Sequence, residues 1–165
     1  MHKKNIPIIA IVGWSKSGKT TFLAKLIQVA VKKGYKVAAI KHTHHKIEEK
    51  KKDTSRLREA GADPVLLVSK GLIVMTKKMG EDAPLENIVE KFFDSVDIIF
   101  VEGFKSSKFP KIEVFSEKEG PLYEKDKTIF ALISSKAVGA EIPTFSPEEV
   151  EKVMDFIVHK FFSVL

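Results

Sequence analysis

Residues 13 to 20 read Gly13-Trp14-Ser15-Lys16-Ser17-Gly18-Lys19-Thr20, which is the G-x-x-x-x-G-K-[ST] spacing of a phosphate-binding loop. Glycines reach backbone conformations closed to other residues, so several amide N–H groups can converge on one phosphate. Lys19 would reach the outer phosphates of a nucleotide, and Thr20 would set its hydroxyl on Mg²⁺. The apolar run Ile8 to Val12 precedes the loop, and the helix-like stretch Thr21 to Lys33 follows it. At such a strand-to-helix turn the helix dipole adds positive potential. A glycine-rich turn without a ligand would account for Gly13 and Gly18, but not for the lysine and threonine beside them.

A nucleoside triphosphate site also needs an acid near the metal. Glu102 ends the apolar run Ile98 to Val101, as an acid at the end of a buried strand should. Gly103-Phe104 then let the chain turn away at the carboxyl edge, where open α/β sheets bind ligands. Asp97 stands at the other end of that strand and is a poorer candidate. Lys41-His42-Thr43-His44-His45 follows the second strand and reaches the same edge. Contact with phosphate or substrate ranks first for this segment, a solvated loop second and a metal third, because no further ligand stands at zinc-like spacing. Asp53-Thr54-Ser55-Arg56 opens a short helix. Asp53 or Thr54 could simply cap it; the functional alternative makes Asp53 a second acid near Mg²⁺ and Arg56 a phosphate partner.

The elements that must hold these residues alternate between strand and helix patterns. That alternation is the mark of an α/β domain, here a phosphate-loop three-layer domain with a mainly parallel sheet flanked by helices. Lys36 to Lys41, Lys111 to Phe115 and Ile129 to Ile133 read as further strands, and Thr54 to Ala60 as a short helix ended by Gly61. Pro64 to Val68 and Leu72 to Met75, separated by Ser69-Lys70-Gly71, suggest a hairpin or an edge pair. Leu85, Ile88, Val89, Phe92 and Phe93 fall at helical spacing and predict one buried stripe after Pro84. Ser146, Pro147 and Glu149 form a helix-start signal. The stripe from Val150 to Phe162 packs on the sheet, with a dimer contact as the alternative. No linker or repeat interrupts residues 1 to 165, and one domain is expected.

Composition bounds the function. The chain has 165 residues, a net charge of +6 and no cysteine, which excludes disulfides and thiolate chemistry and fits a cytoplasmic protein. No apolar run is long enough to span a membrane. Residues 1 to 5 lead straight into a strand, so no signal peptide is expected. The lysines are scattered, and the densest group, Lys46 and Lys50 to Lys52, is broken by Glu48 and Glu49 without interleaved aromatics. A solvated basic surface is expected rather than a nucleic-acid interface.

The order of the phosphate loop, Lys41-His42-Thr43-His44-His45, Asp53-Thr54-Ser55-Arg56 with Ala60-Gly61-Ala62, Val101-Glu102-Gly103-Phe104-Lys105 and Pro110 to Phe115 resembles the molybdopterin-guanine dinucleotide biosynthesis protein B family. The resemblance runs from about residue 6 to residue 163. It implies a dimeric, GTP-binding protein with weak GTP hydrolysis that assists the guanylyltransferase attaching GMP to molybdopterin, through nucleotide delivery or pterin binding. By position, Gly13, Ser17, Gly18, Lys19, Thr20 and Thr21, with the intervening Trp14, Ser15 and Lys16, would hold phosphates. Thr20, Asp53 and Glu102 would surround Mg²⁺, with Lys19 and Glu102 the groups tied to hydrolysis. His42, His44 and Arg56 would lie near the nucleotide or pterin.

Two departures stand out. Residues 46 to 52, Lys-Ile-Glu-Glu-Lys-Lys-Lys, lack the Gly and Pro of this region in the family. Ser134-Ser135-Lys136-Ala137 falls where guanine-selective proteins often carry Asn-Lys-x-Asp, but no aspartate stands two residues after the lysine. A small-molecule or nucleotide kinase is the main rival reading. Such an enzyme needs an arginine-bearing lid, and Arg56 and Arg58 are the only arginines in the chain.

Overall fold

The computed structural model describes residues 6–43, 47, 52–80, 84–93 and 95–162. In chain order these form β1 (Ile8–Val12), α1 (Lys19–Lys32), β2 (Val37–Lys41), α2 (Lys52–Glu59), β3 (Val65–Ser69), β4 (Leu72–Thr76), α3 (Leu85–Phe92), β5 (Ile98–Glu102), β6 (Lys111–Val114), β7 (Ile129–Ile133), β8 (Thr144–Phe145) and α4 (Val150–Phe162). The chain divides into two compact units, Met1–Thr43 with Ser95–Leu165, and His44–Asp94.

The first unit holds a six-stranded sheet in the order β2-β5-β1-β6-β7-β8, and every neighbouring pair is parallel. The expected parallel α/β sheet is therefore present, flanked by helices. The two-residue β8 was not legible as a strand in the sequence. Alternation along the strands sorts side chains between the two faces. Ile9, Ile11, Ile98, Phe100, Ile112, Val114, Ala131 and Ile133 pack with Phe22, Leu23 and Leu26 of α1 and with Val153, Met154 and Ile157 of α4.

The α4 start signal forms only in part. The backbone N–H of Ser146 donates to Glu149 Oε2 at 2.9 Å, but the helix begins at Val150. Ser146 to Glu149 therefore form the turn before it and not its cap and first turn. The aromatic residues along α4 are used within the chain. Phe161 meets Phe130 at 5.3 Å and Phe162 meets Tyr35 at 5.2 Å between ring centroids. The expected packing of that stripe within the chain is present.

On the opposite face, β6 carries two buried charges, Lys111 and Glu113. Burying a charge is costly unless it is paired or hydrogen-bonded; Lys111 is paired and Glu113 is hydrogen-bonded. Glu113 accepts backbone N–H groups from Leu122 and Tyr123, each at 2.9 Å. Lys111 pairs with Asp126 at 3.0 Å and donates to Thr128 Oγ1 and to the Ser107 carbonyl. The charged, turn-rich segment 116–127 is thus tied down by polar contacts to the central strand before it.

In the second unit β3 and β4 pair antiparallel from Val65↔Thr76 to Ser69↔Leu72, the expected hairpin. Leu66, Val68, Leu72, Ile73, Val74 and Met75 are exposed on it. Two expectations need correction. The stripe of α3 is not uniformly buried: Leu85 is, Ile88 and Val89 are only half-buried, and Phe92 is exposed. Phe93 leaves the helix in an extended conformation, so it cannot continue the face. In α2 the helix begins at Lys52, which places Asp53 and Thr54 in its first turn and not at the cap.

Candidate functional site

The loop between β1 and α1 folds as its glycines require. Gly13 has φ +146°, and a Cβ there would lie 2.4 Å from the Val114 carbonyl oxygen and 2.8 Å from Ser17 Oγ. Gly18 sits at φ +92° as the residue before α1 and makes no side-chain cap. The first turn of α1 carries no acid, so its N–H groups and dipole keep their attraction for an anion. Ser17 Oγ is buried without a hydrogen-bond partner. A hydroxyl in that state is stabilised by any oxygen that enters the loop, because a buried unpaired donor is costly. Both features fit a phosphate.

Lys19 folds back over this loop, its ammonium donating to the Trp14 carbonyl at 2.5 Å. Burial pulls its pKa below the usual lysine value; Glu102 opposes that shift, while Lys105 and Lys41 add to it. Phosphate oxygens would supply the negative charge that this group of cations lacks.

Glu102 closes β5 and lies in register with Lys41 of β2 and Ile11 of β1. The parallel register brings the ends of three strands to one edge, beside the start of α1. There Thr20 Oγ1 lies 2.9 Å from each carboxylate oxygen of Glu102. Lys41 Nζ reaches Oε1 of the same carboxylate at 3.1 Å. Lys41 was part of a noted segment but had no assigned role; its position at a strand end, like that of Glu102, was the available signal.

Around the turn after Glu102, its carbonyl accepts the His42 backbone N–H at 2.9 Å. The His42 ring packs on Phe104 at 4.3 Å. Gly103 has φ +97°, and a Cβ there would be 3.3 Å from His42 Cβ, so the glycine makes room for the histidine. On the loop's other side Trp14 Nε1 donates to the Gly120 carbonyl at 2.9 Å, and Lys105 Nζ lies 4.3 Å over the indole. The Trp14–Gly120 bond ties the loop to the segment that Glu113 holds.

Of the residues expected at the site, the loop from Gly13 to Thr21, Glu102 and His42 come together in the first unit. Asp53 and Arg56 belong to α2 of the second unit. His44 lies outside the described residues. Among the described residues no cluster of three or more His, Asp or Glu side chains is arranged to hold a metal. Thr20 and Glu102 are the ligand-type pair that the first unit assembles. Their chemistry suits Mg²⁺, which binds through one or two carboxylates and completes its shell with water and phosphate.

Comparison with known proteins agrees with this architecture. Residues 8–135 match the family described as molybdopterin guanine dinucleotide synthesis protein B. The molybdopterin-guanine dinucleotide biosynthesis adapter protein of Escherichia coli is 34% identical over 164 residues, covering 94% of each chain. That of Haemophilus influenzae is 31% identical over 156 residues, covering 92% of this chain and 88% of its own. A crystal structure of molybdopterin-guanine biosynthesis protein B superimposes with a TM-score of 0.78 at 25% identity, covering 93% of this chain and 99% of that one. With the phosphate loop, the carboxyl-edge glutamate and the parallel sheet all in place, the chain belongs to the molybdopterin guanine dinucleotide synthesis protein B family.

Proposed function

We propose that this protein is a GTP-binding adapter in molybdopterin guanine dinucleotide biosynthesis, working beside the guanylyltransferase that joins GMP to molybdopterin. The observation that carries the nucleotide half of this reading is the Thr20–Glu102 pair at 2.9 Å, set next to a phosphate loop whose Ser17 hydroxyl lacks a partner. The family membership and the adapter relatives carry the pathway half.

In this reading the loop amides and Ser17 hold the inner phosphates. Lys19 releases the Trp14 carbonyl and moves onto the outer phosphates, where its charge counts for more. Thr20 and Glu102 hold Mg²⁺, which when bound neutralises charge on the phosphates. Hydrolysis is slow: Lys19 and the amides stabilise charge on the transferring group, while neither arginine belongs to the sheet unit that carries the loop. His42, at the turn after β2 and packed on Phe104, borders the nucleotide. The site serves a cytoplasmic protein, and no described helix is long and apolar enough to cross a membrane. A homodimer is part of the reading, supported by the exposed apolar β3–β4 hairpin, since a two-stranded hairpin gains little stability without a partner.

Calorimetric titration of GTP and ATP, with and without Mg²⁺, tests the proposal. Tight, Mg²⁺-dependent GTP binding that disappears in Lys19→Ala is the expected result. Retained affinity in that variant would overturn the phosphate-loop assignment.

A further inference from the structure

Beside the phosphate loop, on the side away from Glu102, lies a cleft of about 460 Å³, within the range of small-ligand pockets. Its lining includes Ser15 and Lys16 from the loop, Phe115 and Glu117 after β6, and Ser134 and Lys136 after β7. The sheet order β5-β1-β6-β7 sets its direction from the loop. A triphosphate whose outer end meets Thr20 and Glu102 beside β5 extends its nucleoside the other way, over the ends of β6 and β7.

Glu117 and Lys136 form a 2.9 Å ion pair in this cleft. Both are more than half exposed, at 58% and 67%, and an ion pair so exposed adds little to stability. The turn bearing Lys136 is nonetheless pinned. Ser134 Oγ accepts the Lys136 N–H at 3.2 Å and donates to its carbonyl at 2.9 Å. A lysine held at its backbone next to a carboxylate suits a flat ring that presents donors along one edge.

We infer that this cleft takes the base of the bound nucleotide and that Glu117, positioned by Lys136, selects a 2-amino-4-oxopyrimidine edge, the edge of guanine. The N1–H and 2-amino groups of that edge both donate, and a carboxylate accepts both. Adenine offers an acceptor at N1, which Glu117 would face unpaired. The carboxylate that is missing two residues after Lys136 is thus supplied from a different strand end. The inference rests on the triphosphate site proposed above and deepens it. A pterin carries the same edge; continuity with the loop assigns the cleft to the nucleotide.

Equilibrium titration of GTP, ITP (which lacks the 2-amino group) and ATP against wild type, Glu117→Ala and Lys19→Ala tests it. Glu117→Ala should lower GTP affinity roughly 10- to 100-fold and leave ATP unchanged, and wild type should bind ITP more weakly than GTP. An unchanged GTP-to-ATP ratio in Glu117→Ala would overturn the inference while leaving the loop assignment intact. Triphosphate binding that survives in Lys19→Ala marks failure of the loop assignment itself. A pterin such as neopterin that binds through Glu117 without Lys19, while GTP ignores Glu117, would overturn the assignment to the nucleotide.

Discussion

Thr20 Oγ1 stands 2.9 Å from both carboxylate oxygens of Glu102, across 82 positions of the chain. A hydroxyl shared between two oxygens is a compact arrangement that a small divalent ion can enter with little movement. In the proposed reading it marks the end of the loop that would meet the outer phosphates.

From this pair follows a metal-specific effect. Thr20→Ala and Glu102→Gln should each lower GTP affinity roughly 10- to 100-fold in Mg²⁺, the scale seen when groups that support a metal are removed. In EDTA both variants should match wild type. Equal losses under the two conditions would show that the pair serves the fold or the phosphates instead of the ion.

Lys41 adds a competitor at the same carboxylate, its ammonium 3.1 Å from Glu102 Oε1. Under the proposed assignment, Mg²⁺ would have to displace this cation or share the carboxylate with it. Lys41→Met should therefore lower the Mg²⁺ concentration needed to support GTP binding, read from a metal titration at fixed nucleotide. A half-saturation point that stays put or rises would rule out competition.

The Gly13 position tests the loop's geometry independently of any ligand. At φ +146° a Cβ would press on the Val114 carbonyl and Ser17 Oγ. Gly13→Ala should cost roughly 2–4 kcal/mol through strain and crowding, measured by urea unfolding. Gly139→Ala, where a Cβ meets nothing within 4 Å, should stay within about 0.5 kcal/mol.

Glu113 links stability to pH. Burial pushes its carboxyl above the usual range, and the Leu122 and Tyr123 N–H groups pull it partly back. Between the ordinary glutamate value and this raised one, the folded state holds more protons than the unfolded. Stability should therefore fall as pH rises through that window and level off above it. Glu113→Ala should remove this slope. It should also cost roughly 1–3 kcal/mol for each N–H left unpaired. Urea titrations of both proteins across that window read both effects, and identical slopes would reject the assignment to Glu113.

Legibility in the sequence tracked how local each signal is. The loop between β1 and α1 was readable because its pattern lies within eight consecutive residues, Gly13 to Thr20. Glu102 was readable because a wholly apolar strand ending in an acid is itself a local pattern. The α3 stripe misled: helical spacing shows that one face is apolar, not that a neighbour covers it, and Phe92 remains exposed. Lys111 and Glu113 alternate with Ile112 and Val114, a local pattern that does not mark the charges as buried. Their burial depends on the 116–127 segment, whose contacts with β6 leave no periodic trace.

By itself the sequence determined most of the elements, the parallel α/β plan and the loop between β1 and α1, because backbone preference and hydrophobic period act over a few residues. Tertiary structure decided which distant groups share an edge. The parallel register set Lys41 against Glu102, and the order β1-β6-β7 brought Glu117 to Lys136 beside the loop. Pairing across a sheet is a collective outcome of burying one face, and it is written at no single position in the chain.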